Sequence, residues 1–277
     1  MTPPPEVPAP SSAPGAPGPQ GSGGASTPIP ALAIRNLGHT YRRGLLRAPK
    51  EVLHGISLEV AQGARIGLIG PNGSGKSTLL RIAAGVLQPS SGEVSAFARP
   101  LEDSSVRQRI GYVADGSPFP PELSARHVLE LFHRLHRLPE KNRAARRERC
   151  DAQLERAGLI DDAHRPLGTY SRGMLRRFAL AQAFLHAPEL VLLDEPTAGL
   201  DAPGYDVLEG FLEEARERGA ALILASHVAS DLLAFTDHVQ VLVDGRFLRE
   251  GDPATLFEGP RAGRGMGELF REGGAHA

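Results

Sequence analysis

The sequence predicts an α/β core with a helical lobe grafted into it. Three observations carry that reading. Short apolar runs recur along the chain with helical stretches between them. One of those runs leads straight into a glycine-rich turn that opens a helix. Between residues 123 and 186, three segments carry apolar residues at helical spacing with no strand among them.

Residues 1–28 stand apart from this pattern. They hold nine of the chain's 24 prolines, several glycines and few large apolar side chains. Such a stretch cannot bury enough apolar surface to offset the entropy of ordering it, so a disordered tail is expected. The body is expected over 29–270, and residues 271–277 are expected to fray. Leu32–Leu37 and Val52–Val60 alternate apolar and polar residues as half-buried strands do, with Gly44–Lys50 a loop between them. Ala64–Ile69 is the apolar run before the glycine-rich turn. A helix follows from Lys76 to about Val86, ended by Gln88-Pro89. Gly92–Phe97 and Arg109–Val113 read as further strands. The helical segments are Leu123–Leu138, Arg143–Ala157 and Arg172–His186, which places the helical lobe at about 116–187. Buried strands return at Leu190–Leu193, Ala221–Ala225 and His238–Val243. Asp201 suits the N-cap of the helix between the first two, and Pro203 is tolerated in its first turn because that turn has no use for the missing amide hydrogen.

Composition excludes several function classes. A net charge of −1 leaves no global field to recruit nucleic acid or anionic lipid. The single cysteine, Cys150, rules out an internal disulfide framework and fits a reducing compartment. The N-terminal stretch lacks the basic start and apolar run of a secretory signal. No apolar run approaches the roughly 20 residues of a membrane-spanning helix, so any action at a membrane needs another protein to cross it.

Gly70-Pro71-Asn72-Gly73-Ser74-Gly75-Lys76-Ser77 matches the phosphate-loop pattern without a gap. Its glycines let backbone N–H groups turn inward around phosphate oxygens, and the helix starting near Lys76 adds its positive dipole end. In this pattern Lys76 neutralises β/γ-phosphate oxygens and the Ser77 hydroxyl ligates Mg²⁺. Thr78, the next residue, is grouped with the ATP-binding set. Leu190–Leu193 then delivers Asp194 and Glu195 at a strand end, where α/β sheets bind ligands. Asp194 is placed to hold Mg²⁺ and Glu195 to orient or deprotonate an attacking water.

A phosphate loop with two acids leaves many nucleotide-hydrolysing families open. Tyr170-Ser171-Arg172-Gly173-Met174, then Ala198-Gly199-Leu200-Asp201, then His227, in that order, make the chain resemble the ATP-binding cassette (ABC) family from Leu32 to about Gly251. The resemblance implies a P-loop NTPase (RecA-like) core with an antiparallel β subdomain and an inserted α-helical subdomain. It implies ATP and Mg²⁺ as cofactors. Ser171 and Gly173 would contact the γ-phosphate held by a second subunit, and Asp201 would lie in a loop crossing the dimer interface. His227 would bond the γ-phosphate, and Tyr41 would stack on adenine. The Tyr-Ser-x-Gly-Met form of the signature looks like the branch that partners export-type membrane subunits. Asp115 stands where the family usually places a glutamine, and its carboxylate can reach Mg²⁺ through water.

What the resemblance implies is an ATP-hydrolysing subunit at the inner face of the cell membrane. It would work as a homodimer, or as a heterodimer with another ABC subunit, on separate membrane permease subunits, with no nucleic acid. A soluble ABC ATPase acting on ribosomes or nucleic acid, or a phosphate-loop kinase for a small molecule, stands as an alternative. Arg126, Arg134, Arg137, Lys141, Arg143, Arg146, Arg147 and Arg149 make the helical segments locally basic, which reads as a solvated face with compensating acids ahead of a surface lying near anionic headgroups or a partner. His133 and His136, three apart on a helix, read as exposed side chains rather than a metal pair.

Overall fold

The computed structural model describes residues 29–42, 48–116, 119–140 and 142–257. The expectations for residues 1–28 and 271–277, and those on Lys141 and most of the 44–50 loop, lie outside the described residues. Among the described residues, ten strands and eight α-helices run in the order β1 (Leu32–Tyr41), β2 (Lys50–Val60), β3 (Arg65–Ile69), α1 (Lys76–Ala83), β4 (Ser91–Ala96), β5 (Arg99–Pro100), α2 (Ser104–Arg107), β6 (Ile110–Val113), α3 (Ala125–Leu135), α4 (Arg143–Arg156), α5 (Arg172–Phe184), β7 (Leu190–Asp194), α6 (Ala202–Glu217), β8 (Ala221–Ala225), α7 (Ala229–Phe235), β9 (His238–Val243), β10 (Arg246–Gly251) and α8 (Pro253–Phe257). No helix among the described residues is long and apolar enough to cross a membrane.

Two sheets form. The central one has six strands in the order β10-β9-β3-β8-β7-β6, parallel except for β10. The other is antiparallel, in the order β2-β1-β4-β5. β3, β7 and β8 are buried at every position. A parallel sheet is covered on both faces, which is why these strands read as continuous apolar runs rather than alternating ones.

The central sheet divides the apolar interior in two, and the two-residue period of the strands assigns each side chain to a side. Val191 and Leu193 of β7, with Leu222 and Leu224 of β8, face a core completed by Leu129, Leu154, Phe178 and Phe211 from the helices. Leu190 and Leu192, with Ile223 and Ala225, face the opposite core. There Leu79, Leu80 and Ile82 of α1 pack between the central sheet and Leu32, Leu53 and Ile56 of the antiparallel sheet. α1 is therefore wedged between two sheets, with the loop before it at the C-terminal end of the interior strand β3.

α3, α4 and α5 follow β6 and precede β7 with no strand between them among the described residues. Each has a polar N-cap: Ser124 accepts from the His127 amide, Asn142 from Ala145 and Ser171 from Met174. Asp201 caps α6 by accepting from the Gly204 amide at 3.0 Å, with Pro203 in the first turn. Cys150 is buried in α4, and burial pushes its thiol up to about 12, so it is a packing residue.

Several boundaries differ from the sequence reading, for identifiable reasons. α1 stops at Ala83 rather than near Val86 because Gly85 takes a left-handed φ of +69°. The Gly85 amide then bonds the Ile82 carbonyl and the Val86 amide bonds that of Arg81, a paired C-terminal closure. β1 continues past Leu37 to Tyr41. Its register to β2 shifts around Leu37 and His39, so Leu37, Gly38 and His39 are all buried and the alternation is lost. β2 starts at Lys50, inside the expected loop. β10 was not anticipated; it is a polar edge strand joined to β9 through Asp244-Gly245, both at positive φ, a hairpin signal present in the sequence. His133 is not exposed but 2% accessible, with Nε2 2.8 Å from Glu140. His136 is half-buried and stacks on His186 at a centroid distance of 3.9 Å.

Candidate functional site

The C-terminal ends of β3, β7 and β8 lie side by side, and each carries part of the site. Gly70 leaves β3 so close to β9 that a Cβ there would sit 2.0 Å from the Leu242 carbonyl oxygen. Only glycine fits. The loop Gly70-Pro71-Asn72-Gly73-Ser74-Gly75 then turns into α1, with the Ser74 carbonyl accepting from the Gly245 amide at 3.0 Å. Gly75 sits at φ +111° as the N-cap residue, and no side chain caps α1. The first-turn amides of a helix that no side chain caps form an anion site. Lys76 and Ser77 start the helix, and Thr78 follows.

Lys76 is buried, and its Nζ donates to the carbonyls of Gly70 at 2.6 Å and Pro71 at 3.3 Å. Burial lowers its pKa, while Glu195 and Asp194 pull it back up. Those two carboxylates therefore lie within electrostatic reach of the ammonium. Tyr41, at the end of β1, places its hydroxyl 3.3 Å from the Thr78 hydroxyl and its ring edge-on to His39.

Asp194 ends β7 fully buried, and neither carboxylate oxygen makes a hydrogen bond of normal geometry. Burial raises its pKa; the Ser77 hydroxyl offsets part of that, and Asp115 and Glu195 add to it. A buried carboxylate with both oxygens free, beside a serine hydroxyl and two further acids, has the donor chemistry of a hard divalent cation site.

Glu195 takes a left-handed φ of +49°, a strained conformation for a residue with a side chain. Three contacts over-determine it. Its amide donates to the Ala225 carbonyl at 2.8 Å, its carbonyl accepts from Arg176 at 2.6 Å, and its Oε2 lies 2.8 Å from His227 Nδ1. The His227 side chain is 60% exposed, against 14% for Glu195. A carboxylate bonded to an imidazole at the open edge of a phosphate loop can hold a water and accept its proton.

Asp115 follows β6. Its side chain is 62% exposed and lies 3.5 Å from Arg176, close enough to bear on Asp194. Ser171 and Gly173 stand elsewhere, at the start of α5, where the Ser171 hydroxyl is the helix cap. A Cβ on Gly173 would lie 3.3 Å from the Gly199 carbonyl, so α5 starts hard against the loop that follows β7. A cleft of about 400 Å³ opens between Asp115, Arg172, Leu175, Arg176, Ala198 and Gly199.

Sequence reasoning missed Arg176. Its guanidinium, 7% exposed, donates to the carbonyls of Ala114 and Glu195 and approaches Asp115, tying α5 to two loops of the site. Its only sequence signal is an arginine on a buried helix face. Also missed was Asp231 in α7, a buried acid that bonds Thr197 and Ser226.

Fold and site together define a phosphate-loop protein of the α/β class. The ABC transporter family model matches residues 53–198. The chain is 37% identical over 204 residues to the uncharacterized ABC transporter ATP-binding protein YdbJ of Bacillus subtilis, covering 73% of this chain and 64% of that one. It is 35% identical over 227 residues to the daunorubicin resistance ATP-binding protein DrrA3 of Streptomyces coeruleorubidus, covering 81% of this chain and 71% of that one. The chain thus spans slightly less than two thirds of the length of relatives such as YdbJ. Among solved structures it resembles a dimeric post-hydrolysis state of the ATP-binding cassette MJ0796 bound to ADP and Pi. The TM-score is 0.74 at 26% identity, over 80% of this chain and 98% of that one. The chain belongs to the ABC transporter family.

Proposed function

We propose that this protein binds and hydrolyses ATP to drive transport through separate membrane permease subunits. The observation that carries the reading is the meeting, at the C-terminal ends of adjacent strands, of an uncapped phosphate loop, a fully buried Asp194 with no hydrogen bond of normal geometry and the strained Glu195 bonded to His227. Gly70, Pro71, Asn72, Gly73, Ser74 and Gly75 with Lys76 would cradle the phosphates, and Tyr41 would bear on the base. Ser77 and Asp194, with Asp115 through water, would hold Mg²⁺, which supplies charge neutralisation between the terminal phosphates. Glu195 would hold the attacking water and take its proton, while His227 fixes the carboxylate and meets the γ-phosphate.

Ser171 and Gly173, at the start of α5, would complete the site of a second subunit in a head-to-tail dimer. The dimeric state of MJ0796 supports that reading. Export is the direction we favour, from Tyr170-Ser171-Arg172-Gly173-Met174 and from a relative named for daunorubicin resistance. The chain would then sit peripherally on the inner face of the membrane. The test is Glu195→Gln. It keeps the phosphate contacts and removes the proton acceptor, so ATP binding persists, turnover falls at least about 100-fold, and a dimer accumulates on size-exclusion chromatography with ATP and Mg²⁺. A variant that turns over ATP at the wild-type rate would exclude this function.

A further inference from the structure

We propose that Asp231 is a positioning residue for the Glu195–His227 pair, an inference that rests on the hydrolytic reading above. Glu195 and His227 belong to two different loops, one after β7 and one after β8. His227 is too exposed for packing to hold it, so something beneath it must. That something is one buried carboxylate. Asp231, 5% exposed in the first turn of α7, takes two hydrogen bonds on the same oxygen. One comes from the Thr197 hydroxyl at 2.6 Å, two residues after Glu195. The other comes from the Ser226 hydroxyl at 2.9 Å, immediately before His227.

The polarity of this arrangement matters. An ionised carboxylate only accepts, so both hydroxyls must donate to it. The Ser226 hydroxyl hydrogen is then committed, and its oxygen is left to accept from the Val228 amide at 3.0 Å. Residues 226 and 228, on either side of His227, are fixed by one hydroxyl whose direction Asp231 sets. The His227 ring is thereby presented to Glu195 at 2.8 Å, with its backbone amide 3.4 Å from the same oxygen. An asparagine at 231 has nearly the same shape but can offer donors, so it removes the enforced direction without leaving a hole.

The full-length wild type, Asp231→Asn, His227→Ala and the double variant are assayed for steady-state ATP turnover, and their nucleotide-free forms for backbone hydrogen exchange. Asp231→Asn should lower kcat about tenfold with KM for ATP changed less than about twofold. On the His227→Ala background it should lower kcat no further, because it acts through that side chain. Exchange at the 227–228 amides should rise about tenfold while β8 stays protected. Ser226→Ala should reproduce the exchange result if Asp231→Asn folds poorly. Losses that multiply in the double variant, or unchanged protection at 227–228, would overturn the role. A wild type without ATPase activity would instead overturn the hydrolytic reading, and the exchange measurements would still decide whether Asp231 holds this loop.

Discussion

Both the phosphate-loop edge and the helical lobe bury charged side chains, and they treat them in opposite ways. In the lobe, Arg126 is 8% exposed and pairs with Asp151 at 2.5 Å, with His164 on its other face. Glu140 takes His133 on one oxygen and Arg149 on the other, each at 2.8 Å. At the loop edge, Asp194 is more deeply buried than any of these and has no ion pair or hydrogen bond of normal geometry, and Lys76 meets backbone carbonyls. A paired buried charge holds the fold together. An unpaired one is a standing cost in the free protein that a bound ligand relieves. The basic character of the lobe is thus partly structural, since Arg126 of α3 answers Asp151 of α4 and Arg149 of α4 answers Glu140 in the loop between the two helices.

That contrast is broken most directly by removing one charge from each side. Lys76→Ala should weaken ATP binding at least about 100-fold, because it deletes a desolvated cation that on the proposed reading would meet the phosphates. It should leave thermal stability unchanged or slightly raised, since burial of that ammonium opposes folding. Arg126→Ala should do the reverse. It leaves Asp151 with only Arg147 at 3.8 Å and costs about 2 kcal/mol, a Tm drop of about 4–8 °C, with ATP turnover within about twofold of wild type. A nucleotide titration and a thermal melt on both variants suffice. If Lys76→Ala destabilised the fold as much as Arg126→Ala, the distinction between the regions would collapse.

The phosphate loop and the two acids were legible in the sequence because their spacing is dictated by backbone geometry. Gly70 and Gly75 are required by close approaches and a left-handed φ, and local patterning reports such demands. The continuous runs of β7 and β8 were legible for the same kind of reason, since both faces of each strand are covered. Arg176 and Asp231 were not legible. Their roles come from partners 19 to 62 residues away in one case and up to 34 in the other, and no local period encodes those. His133 and His136 were misread as exposed because a helix has two sides, and the sequence does not say which one meets α5. β10 was missed because an edge strand can be polar, although its Asp244-Gly245 turn was in plain view.

The junction between the two regions gives a smaller effect, visible through pH. Burial first, then the neighbouring His136, holds the His186 pKa down at about 3, while its ring bonds the Ile110 carbonyl. A histidine whose folded pKa lies below its unfolded value keeps its stabilisation above pH 6.5 and loses it as pH falls toward 3, because the unfolded chain takes up the proton first. Between pH 7.5 and 5.5 this one group should cost about 1.4 kcal/mol. His186→Gln should be less stable at pH 7.5 and should lose about that much less on acidification, as read by urea denaturation at the two pH values. An identical pH slope in both proteins would move the acid sensitivity elsewhere.

The smallest effect is expected at Asp115, where the regions touch, and it sharpens the comparison most. Asp115 reaches Arg176 only at 3.5 Å and is 62% exposed, so the pair is weak and screened by solvent. Arg176 keeps its two carbonyl partners without it. Asp115→Ala should therefore shift Tm by no more than about 1–2 °C. The same substitution removes a negative charge that holds the Asp194 pKa up. Cation affinity at the site then feels two opposed changes: one carboxylate fewer, and a neighbour that ionises more readily. Basal ATP turnover at saturating Mg²⁺ should stay within about threefold of wild type, while the Mg²⁺ concentration for half-maximal turnover should rise by a similar factor. Asp115→Asn keeps an oxygen for a bridging water and should fall between the two. A Tm drop as large as that of Arg126→Ala would mean Asp115 belongs with the structural charges of the lobe. A Mg²⁺ dependence unchanged in both variants would mean it serves neither region's charge balance.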